Sequence, residues 1–337
     1  MARVLVLFGG RSAEHEVSCV SAVAVVGALQ GAGHRVIPVG IDRDGAWWLA
    51  DTADPMVANG RPVSLGLPSG ELVSGQERIG FDVVFPVLHG PYGEDGTIQG
   101  VFEIAGIPYV GCSVTASAVA MDKDMAKRLA VTAGIPTGAW RVVRGPDLDE
   151  PAKTVERLID ALGLPVFVKP AELGSSVGIT RCSSDVELKD GILRAFAYGA
   201  KVVVEEEIRG REIEVAVLDG PRASLPGEVI VAAGWYDYEA KYHDGTSRFV
   251  APAVLSEEET ARVCDLACRT FTALECRGLA RVDFFLAADG RGFLLNEVNT
   301  MPGFTPISGF PKMWLASGMS YPELCNALVD AALRRVG

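Results

Sequence analysis

Between Gly278 and Thr300 the chain reads GLARVDFFLAADGRGFLLNEVNT, two apolar runs joined by Asp289-Gly290. Asp-Gly between apolar runs is a strong local signal for a β-hairpin, since both residues tolerate the left-handed backbone of a tight turn. A hairpin over 279–298 puts antiparallel sheet into the second half of the chain. The first half carries a different signal. Residues 3–8 (RVLVLF) and 35–41 (RVIPVGI) are apolar and β-branched, flank a run of small and apolar residues at 14–30, and are followed by an apolar run at 81–88. Strand, helix, strand at this spacing predicts an open parallel α/β unit, whose ligands collect at the C-terminal strand ends. Gly9, Gly10 and His89 fall at that rim. Two kinds of sheet must therefore coexist, and the fold class expected is α/β, α+β in part. At 337 residues the chain exceeds one ordinary core, and about two or three domains are expected.

The segment 90–96 (GPYGEDG) reads as a turn-rich loop before a helix near 97–105, and 108–117 as a short strand and loop. A new helix starts at MDKDMAKRLA (121–130). Residues 165–182 read as strand, glycine- and serine-rich loop, strand; 201–208 as a strand running into an acidic edge. From about 212 strands dominate, with a long loop at 234–250 and a helix at 256–275. The divisions expected are 1–120, 121–211 and 212–337, with no internal repeat.

Charge narrows the partners. The formal net charge is -12, which argues against a nucleic-acid polymer or an anionic membrane, since both need a basic footprint. Only eight lysines stand against 23 arginines, so a lysine inside a motif is informative. The seven cysteines have irregular spacing and no C-x-x-C, which predicts reduced thiols in a cytoplasmic protein. No signal-like cleavage region follows the opening apolar run, and the longest uncharged stretch, 17–33, is too short and too weakly apolar to span a bilayer.

Strand alternation places Arg281 and Asp283 on one face of the hairpin, and Glu297 and Asn299 on one face of its partner strand. If the turn has three residues centred on Gly290, Asp283 faces Glu297 and Arg281 faces Asn299. Two carboxylates and an amide oxygen suit Mg²⁺, which binds oxygen ligands together with substrate phosphates. The same four residues also suit an ordinary solvated hairpin face. The loop LGSSVG (173–178) offers backbone N–H groups to phosphate oxygens, although no Gly-Lys-Ser/Thr makes it a Walker loop. Lys169 ends the apolar strand before it, where a lysine is costly unless an anion pairs with it. In Glu205-Glu206-Glu207, alternation sends the outer two to one side and Glu206 to the other. The run 235–249 holds three tyrosines and a lysine within eight residues and reads as a lid. His15-Glu16 does not begin a zinc H-E-x-x-H motif, because Cys19 replaces the second histidine, and LFGGRSAE lacks the dinucleotide G-x-G-x-x-G pattern.

Taken together, LFGGRSAEHEVS (7–18), VLHGPYGEDGTIQG (87–100), MDK (121–123), VFVKPAELGSSVGI (166–179), YDYEAKY (236–242), ARVDFF (280–285) and NEVNTMPGFTPIS (296–308) resemble the D-alanine–D-alanine ligase family of the ATP-grasp fold. They follow the family order over about nine-tenths of the chain. The resemblance implies three domains, a cytoplasmic homodimer, ATP gripped between two sheets, and two Mg²⁺ (or Mn²⁺) ions held by Asp283, Glu297 and Asn299. It implies that Lys123 and Lys169 contact the ATP phosphates, with Glu205, Ile208 and Glu212 around adenine and ribose. Glu14, helped by His89, would bind the ammonium of the first D-alanine. Arg281 and the N–H of Gly303 would stabilise the tetrahedral oxyanion. Ser175, Tyr242 and Glu14 would form a hydrogen-bonded triad, and Ser308 and Lys241 would hold the second carboxylate. The presence of Tyr242 favours amide over D-lactate ester formation. The turn between Asp283 and Glu297 looks one residue longer than in the family. A same-fold ligase with a D-lactate or D-serine acceptor is the near alternative. A non-catalytic nucleotide-binding module is the distant one, and it would be expected to have lost the metal ligands that are present here.

Overall fold

In the computed structural model, residues 1–50, 60–67, 69–174, 176–231 and 247–335 are described. Strand Arg3–Gly9 pairs in parallel with Arg35–Ile41 on one side and Val83–Val87 on the other. Both faces of this sheet are covered, which is why its strands read as unbroken apolar runs. Val4, Val6 and Phe8 pack in the cluster formed with helix His15–Gly31 and the late helices Gly309–Ala316 and Tyr321–Arg334. Leu5 and Leu7 turn the other way, onto Ile98 and Phe102 of helix Thr97–Ile104. The sheet then extends through four short antiparallel strands, Trp47–Leu49, Arg61–Gly66, Glu71–Ser74 and Glu77–Ile79. None of these four was expected, because they are short, partly exposed and lack a run of apolar residues.

The segment 108–117 departs from the expected strand and loop. It contributes one bridge, Val84 to Tyr109, and then enters helix Val114–Met121, where the Ser113 side chain caps the first turn by accepting from the Ala116 N–H. Helix Lys123–Thr132 follows at once, with Asp122 accepting from the N–H groups of Asp124 and Met125.

The second sheet is antiparallel, in the order Thr180–Cys182, Val166–Pro170, Lys201–Glu206, Trp140–Arg144. Val166, Val168, Val202 and Val204 face helices Pro151–Leu162 and Asp185–Ala195. Alternation therefore sends Lys169, Lys201 and Glu205 to the opposite face. The third sheet runs Ser247–Val250, Gly227–Val231, Gly210–Leu218, Leu279–Ala287, Gly292–Asn299, with Arg222–Ala223 beside Gly210–Leu218. Its inner face (Ile213, Val215, Val282, Phe284) packs on Ala126, Ala130 and helix Glu257–Ala273.

The hairpin pairs Arg281 with Asn299 and Asp283 with Glu297, as expected, but by another route. Ala287 opposite Gly292 leaves residues 288–291 as the connection, one more than the three expected, and that register continues to Phe284 opposite Leu295. Unbroken, it would set Asp283 against Asn296. A shift between Asp283 and Phe284 lets Asn296 bulge and restores the Asp283–Glu297 pair. Among the described residues, no helix is long and apolar enough to cross a membrane.

Candidate functional site

The three sheets border one cleft of about 1310 Å³. Its floor begins with the helix Lys123–Thr132, which projects Lys123 and Lys127 from one face because they are four residues apart. Lys123 Nζ donates to the Leu173 carbonyl at 2.6 Å and lies 3.9 Å from Glu297. That single side chain connects the glycine-serine loop to the hairpin. From the central sheet, Lys169 Nζ meets Glu205 Oε2 at 2.7 Å, and Lys127 Nζ reaches Glu205 Oε1 at 3.3 Å. All three are buried. Burial by itself would raise the Glu205 carboxyl, but Lys127 and Lys169 outweigh it and hold the group down at about 2. Lys169 is likewise pushed down by burial and carried above its ordinary range by Glu205, whereas burial wins for Lys127.

A second buried pair, Lys201 with Asp122, pins the start of the same helix to the central sheet. The acidic run divides by environment. Glu206 accepts from the Ala139 N–H and from Arg291, both at 2.7 Å, and Glu207 is held by Arg181 and Arg209. Only Glu205 enters the lysine cluster. Since its folded value lies below the ordinary 4.5, its contribution to stability is complete above pH 4.5 and drains as pH falls toward 2. Urea unfolding of Glu205→Gln across that interval is expected to show a flatter loss of stability than the parent; equal acid slopes would refute the assignment.

On the hairpin face, Arg281 donates Nε to Asp283 Oδ1 at 2.8 Å and Nη2 to Oδ2 at 2.7 Å. Asn299 Nδ2 donates to the same Oδ2 at 2.9 Å, and Glu214 Oε2 stands 3.3 Å from Arg281 Nε. Asp283, Glu297 and Asn299 thus lie together on adjacent strands at the cleft wall. Two carboxylates and an amide form a hard-oxygen set that fits a divalent cation such as Mg²⁺.

At the opposite wall, the rim loops of the first sheet carry Glu14 and His89. A Cβ on Gly90 would stand 2.6 Å from Glu14 Oε2, and one on Gly174 would stand 3.8 Å from it. The Glu14 carboxylate therefore sits between the first sheet and the glycine-serine loop, in space left by glycine. His89 Nδ1 donates to the Met301 carbonyl at 2.9 Å, with Glu94 Oε1 at 3.7 Å. Burial pushes the imidazole down, yet Glu94 and Glu14 outweigh it and the net direction is up. Ser308 stands at the head of helix Gly309–Ala316, its Oγ 2.7 Å from Thr305 Oγ1. Gly303 lines the cleft beside it, where an added Cβ would stand 3.1 Å from Ser308 Oγ, and Ile208 and Glu212 line the same cleft.

The structure thus brings together Glu14, His89, Lys123, Lys169, Glu205, Ile208, Glu212, Arg281, Asp283, Glu297, Asn299, Gly303 and Ser308 around one cavity. Ser175, Lys241 and Tyr242, with most of the expected lid, lie outside the described residues. Sequence reasoning missed Lys127, Glu214, Glu94 and the Asp122–Lys201 pair. Lys127 could have been found from the scarcity of lysine and its four-residue spacing from Lys123.

Comparison with known proteins gives this geometry a relationship. The family description "D-ala D-ala ligase N-terminus" matches residues 3–112 and "D-ala D-ala ligase C-terminus" matches residues 129–330. The chain is 47% identical to a protein of Streptomyces griseus named D-alanine–D-alanine ligase, across 99% of this chain and 93% of the relative. A protein of the same name from Mycobacterium tuberculosis is 46% identical across 99% of this chain and 96% of the relative. Among solved structures, the D-alanine–D-alanine ligase from Coxiella burnetii superposes with a TM-score of 0.88 at 36% identity, covering 100% of this chain and 96% of that one. The VanG D-Ala:D-Ser ligase from Enterococcus faecalis superposes with a TM-score of 0.89 at 35% identity, covering 98% and 99% respectively.

Proposed function

The chain belongs to the D-alanine–D-alanine ligase family, and from that premise we propose how its residues serve the reaction. The protein is an ATP-dependent ligase of the ATP-grasp fold that joins two D-alanine molecules through D-alanyl phosphate, releasing ADP and phosphate. The dipeptide is a precursor for peptidoglycan. The observation that carries the assignment of roles is the cleft itself: two lysines, a carboxylate–amide–guanidinium face and the Glu14 carboxylate converge there from separate sheets.

Lys123 and Lys169 hold the triphosphate, with Glu205, Ile208 and Glu212 around adenine and ribose. Asp283, Glu297 and Asn299 would hold two Mg²⁺ (or Mn²⁺) ions, which when bound neutralise charge on the transferring phosphoryl group. Glu14 receives the ammonium of the first D-alanine, and His89, whose proton affinity Glu94 and Glu14 raise against burial, stands beside it. The first carboxylate attacks the γ-phosphoryl group, forming a mixed anhydride that the closed cleft must shield from water. The amine of the second D-alanine then attacks its carbonyl, and phosphate leaves. Arg281 and the Gly303 N–H stabilise the oxyanion, a contribution of about 3 kcal/mol per donor in well-studied enzymes. Ser308, with Lys241, binds the second carboxylate, and Ser175 and Tyr242 complete a triad with Glu14. The resemblance further supports a division at 1–120, 121–211 and 212–337, and a cytoplasmic homodimer.

The test is phosphate release from ATP with D-alanine, L-alanine, D-serine and D-lactate compared side by side, with products identified. D-alanine alone is expected to support turnover to D-alanyl-D-alanine. An efficient mixed product from D-alanine with D-serine would move the protein to the acceptor class of its relative from Enterococcus faecalis, and one with D-lactate would make it an ester-forming ligase of the same fold.

A further inference from the structure

The helix Lys123–Thr132 is divided in its loyalties. Its apolar side, through Ala126 and Ala130, belongs to the core of the third sheet. Its charged side meets the central sheet through Asp122–Lys201 and Lys127–Glu205. The first of these pairs sits at the helix cap. The second sits inside the cleft, where a buried lysine with no assigned role shares one carboxylate with Lys169.

We propose that Lys127 is a positioning residue for ATP: it keeps Glu205 neutralised so that Lys169 can turn its charge to the nucleotide phosphates. The inference rests on the phosphate role given to Lys169 above. Charge counting supplies the reason. Two lysines and one carboxylate leave the trio with one net positive charge, which an incoming phosphate can use. Without Lys127 the trio is neutral. Lys169 could then reach phosphate only by leaving Glu205 bare in a buried site, and breaking a buried pair by removing one partner is strongly unfavourable. The geometry fits this division of labour. Lys169 holds Glu205 Oε2 at 2.7 Å and Lys127 stands 3.3 Å from the other oxygen, Oε1, as an ion pair without hydrogen-bond geometry, so neither displaces its neighbour. The Trp140 ring, 5.9 Å from Lys127 Nζ, gives that ammonium a second favourable surface. Burial pushes Lys127 down and Glu205 opposes it, while Lys127 together with Lys169 holds the Glu205 carboxyl well below its ordinary range. Lys123, Glu297 and Glu212 add to the local field, but they are common to every variant compared below.

The experiment measures ADP and adenosine binding calorimetrically to the full chain and reads the ratio of the two affinities. Adenosine reports the adenine and ribose contacts and any general damage; the ratio reports the phosphate contacts. Lys127→Met is expected to lower the ratio about tenfold, in line with coupling between close buried charges. Lys127→Met combined with Glu205→Gln restores the single positive charge on Lys169 and is expected to return the ratio to within about threefold of the parent. A purely structural Lys127 would weaken both ligands together and gain nothing from the second change. A parental ratio in Lys127→Met, or a double variant as poor as the single, overturns the proposal. Lys169→Met is the control for the reading beneath it. If that variant binds ADP like the parent, the phosphate role of Lys169 fails; if it binds weakly while Lys127→Met does not, only the Lys127 proposal fails.

Discussion

Arg281→Lys is expected to lower kcat by about two to three orders of magnitude while leaving ATP affinity within a few-fold of the parent. Lysine keeps the positive charge, so Asp283 and Glu214 are not left beside an apolar side chain and the fold should persist. What lysine cannot reproduce is the planar fork. In the structure Nε and Nη2 grip the two oxygens of Asp283 at 2.8 and 2.7 Å, with Glu214 3.3 Å from Nε. Both anions draw charge toward the guanidinium, whose proton affinity burial lowers and Asp283 and Glu214 raise to a net increase. A guanidinium fixed along one edge keeps Nη1 outside the fork as a donor whose direction is already set. Such a donor contributes most where charge develops in the transition state, because no reorganisation is needed when the oxyanion forms. An ammonium on a flexible stem has no second edge to be held by. The measurement is D-alanine-dependent phosphate release beside calorimetric ATP binding. A kcat within threefold of the parent would remove Arg281 from the chemistry and leave it as a clamp for Asp283.

How much of this was legible in the sequence depended on whether a residue's role is local. The parallel core of the first sheet was legible because strands covered on both faces must be apolar, and after the exposed Arg3 and Arg35 the stretches 4–8 and 36–41 are. The four added strands were not, since a short half-exposed edge strand has no pattern that separates it from a loop. The hairpin shows how a correct pairing can follow from an incomplete argument. Three turn residues and the observed combination of residues 288–291 with a bulge at Asn296 bring Asp283 to the same partner. A bulge depends on neighbouring strands, so no reading of the turn alone could have found it. Helix Val114–Met121 was hidden for another reason. Its alanine-rich sequence has no amphipathic stripe, and the Ser113 cap was the one local sign. For the site, motif residues were legible as chemistry, but their counterions were not. Glu205 owes its low value to Lys127 together with Lys169, and the helix that carries Lys123 is pinned at its start by the Lys201 grip on Asp122. These partners lie far apart in sequence and meet only through the crossing of a helix over a sheet.

Gly90 separates the role of the Glu14 carboxylate from its charge. At Gly90 the backbone has φ +73°, and an added Cβ would stand 2.6 Å from Glu14 Oε2 and 3.4 Å from Ser12 Cβ. Gly90→Ala therefore introduces backbone strain of about 1 kcal/mol and a collision with the carboxylate at the far end of the Glu14 side chain. The strain is tolerable in a stable domain, and the collision is relieved by moving the carboxylate. Glu14 would stay charged but stand several tenths of an ångström or more from its present place. If that carboxylate receives the ammonium of the first D-alanine, misplacement on this scale should reduce kcat/KM for D-alanine by about a hundredfold. The lysine cluster stands on other elements, so ATP affinity should change little. Glu14→Gln, which removes the charge while approximately preserving position, should produce the same division between the two substrates. Steady-state kinetics with each substrate varied at saturating levels of the other read both outcomes. If Gly90→Ala loses ATP affinity instead, or handles D-alanine as the parent does, Glu14 does not lie on the path of the first substrate.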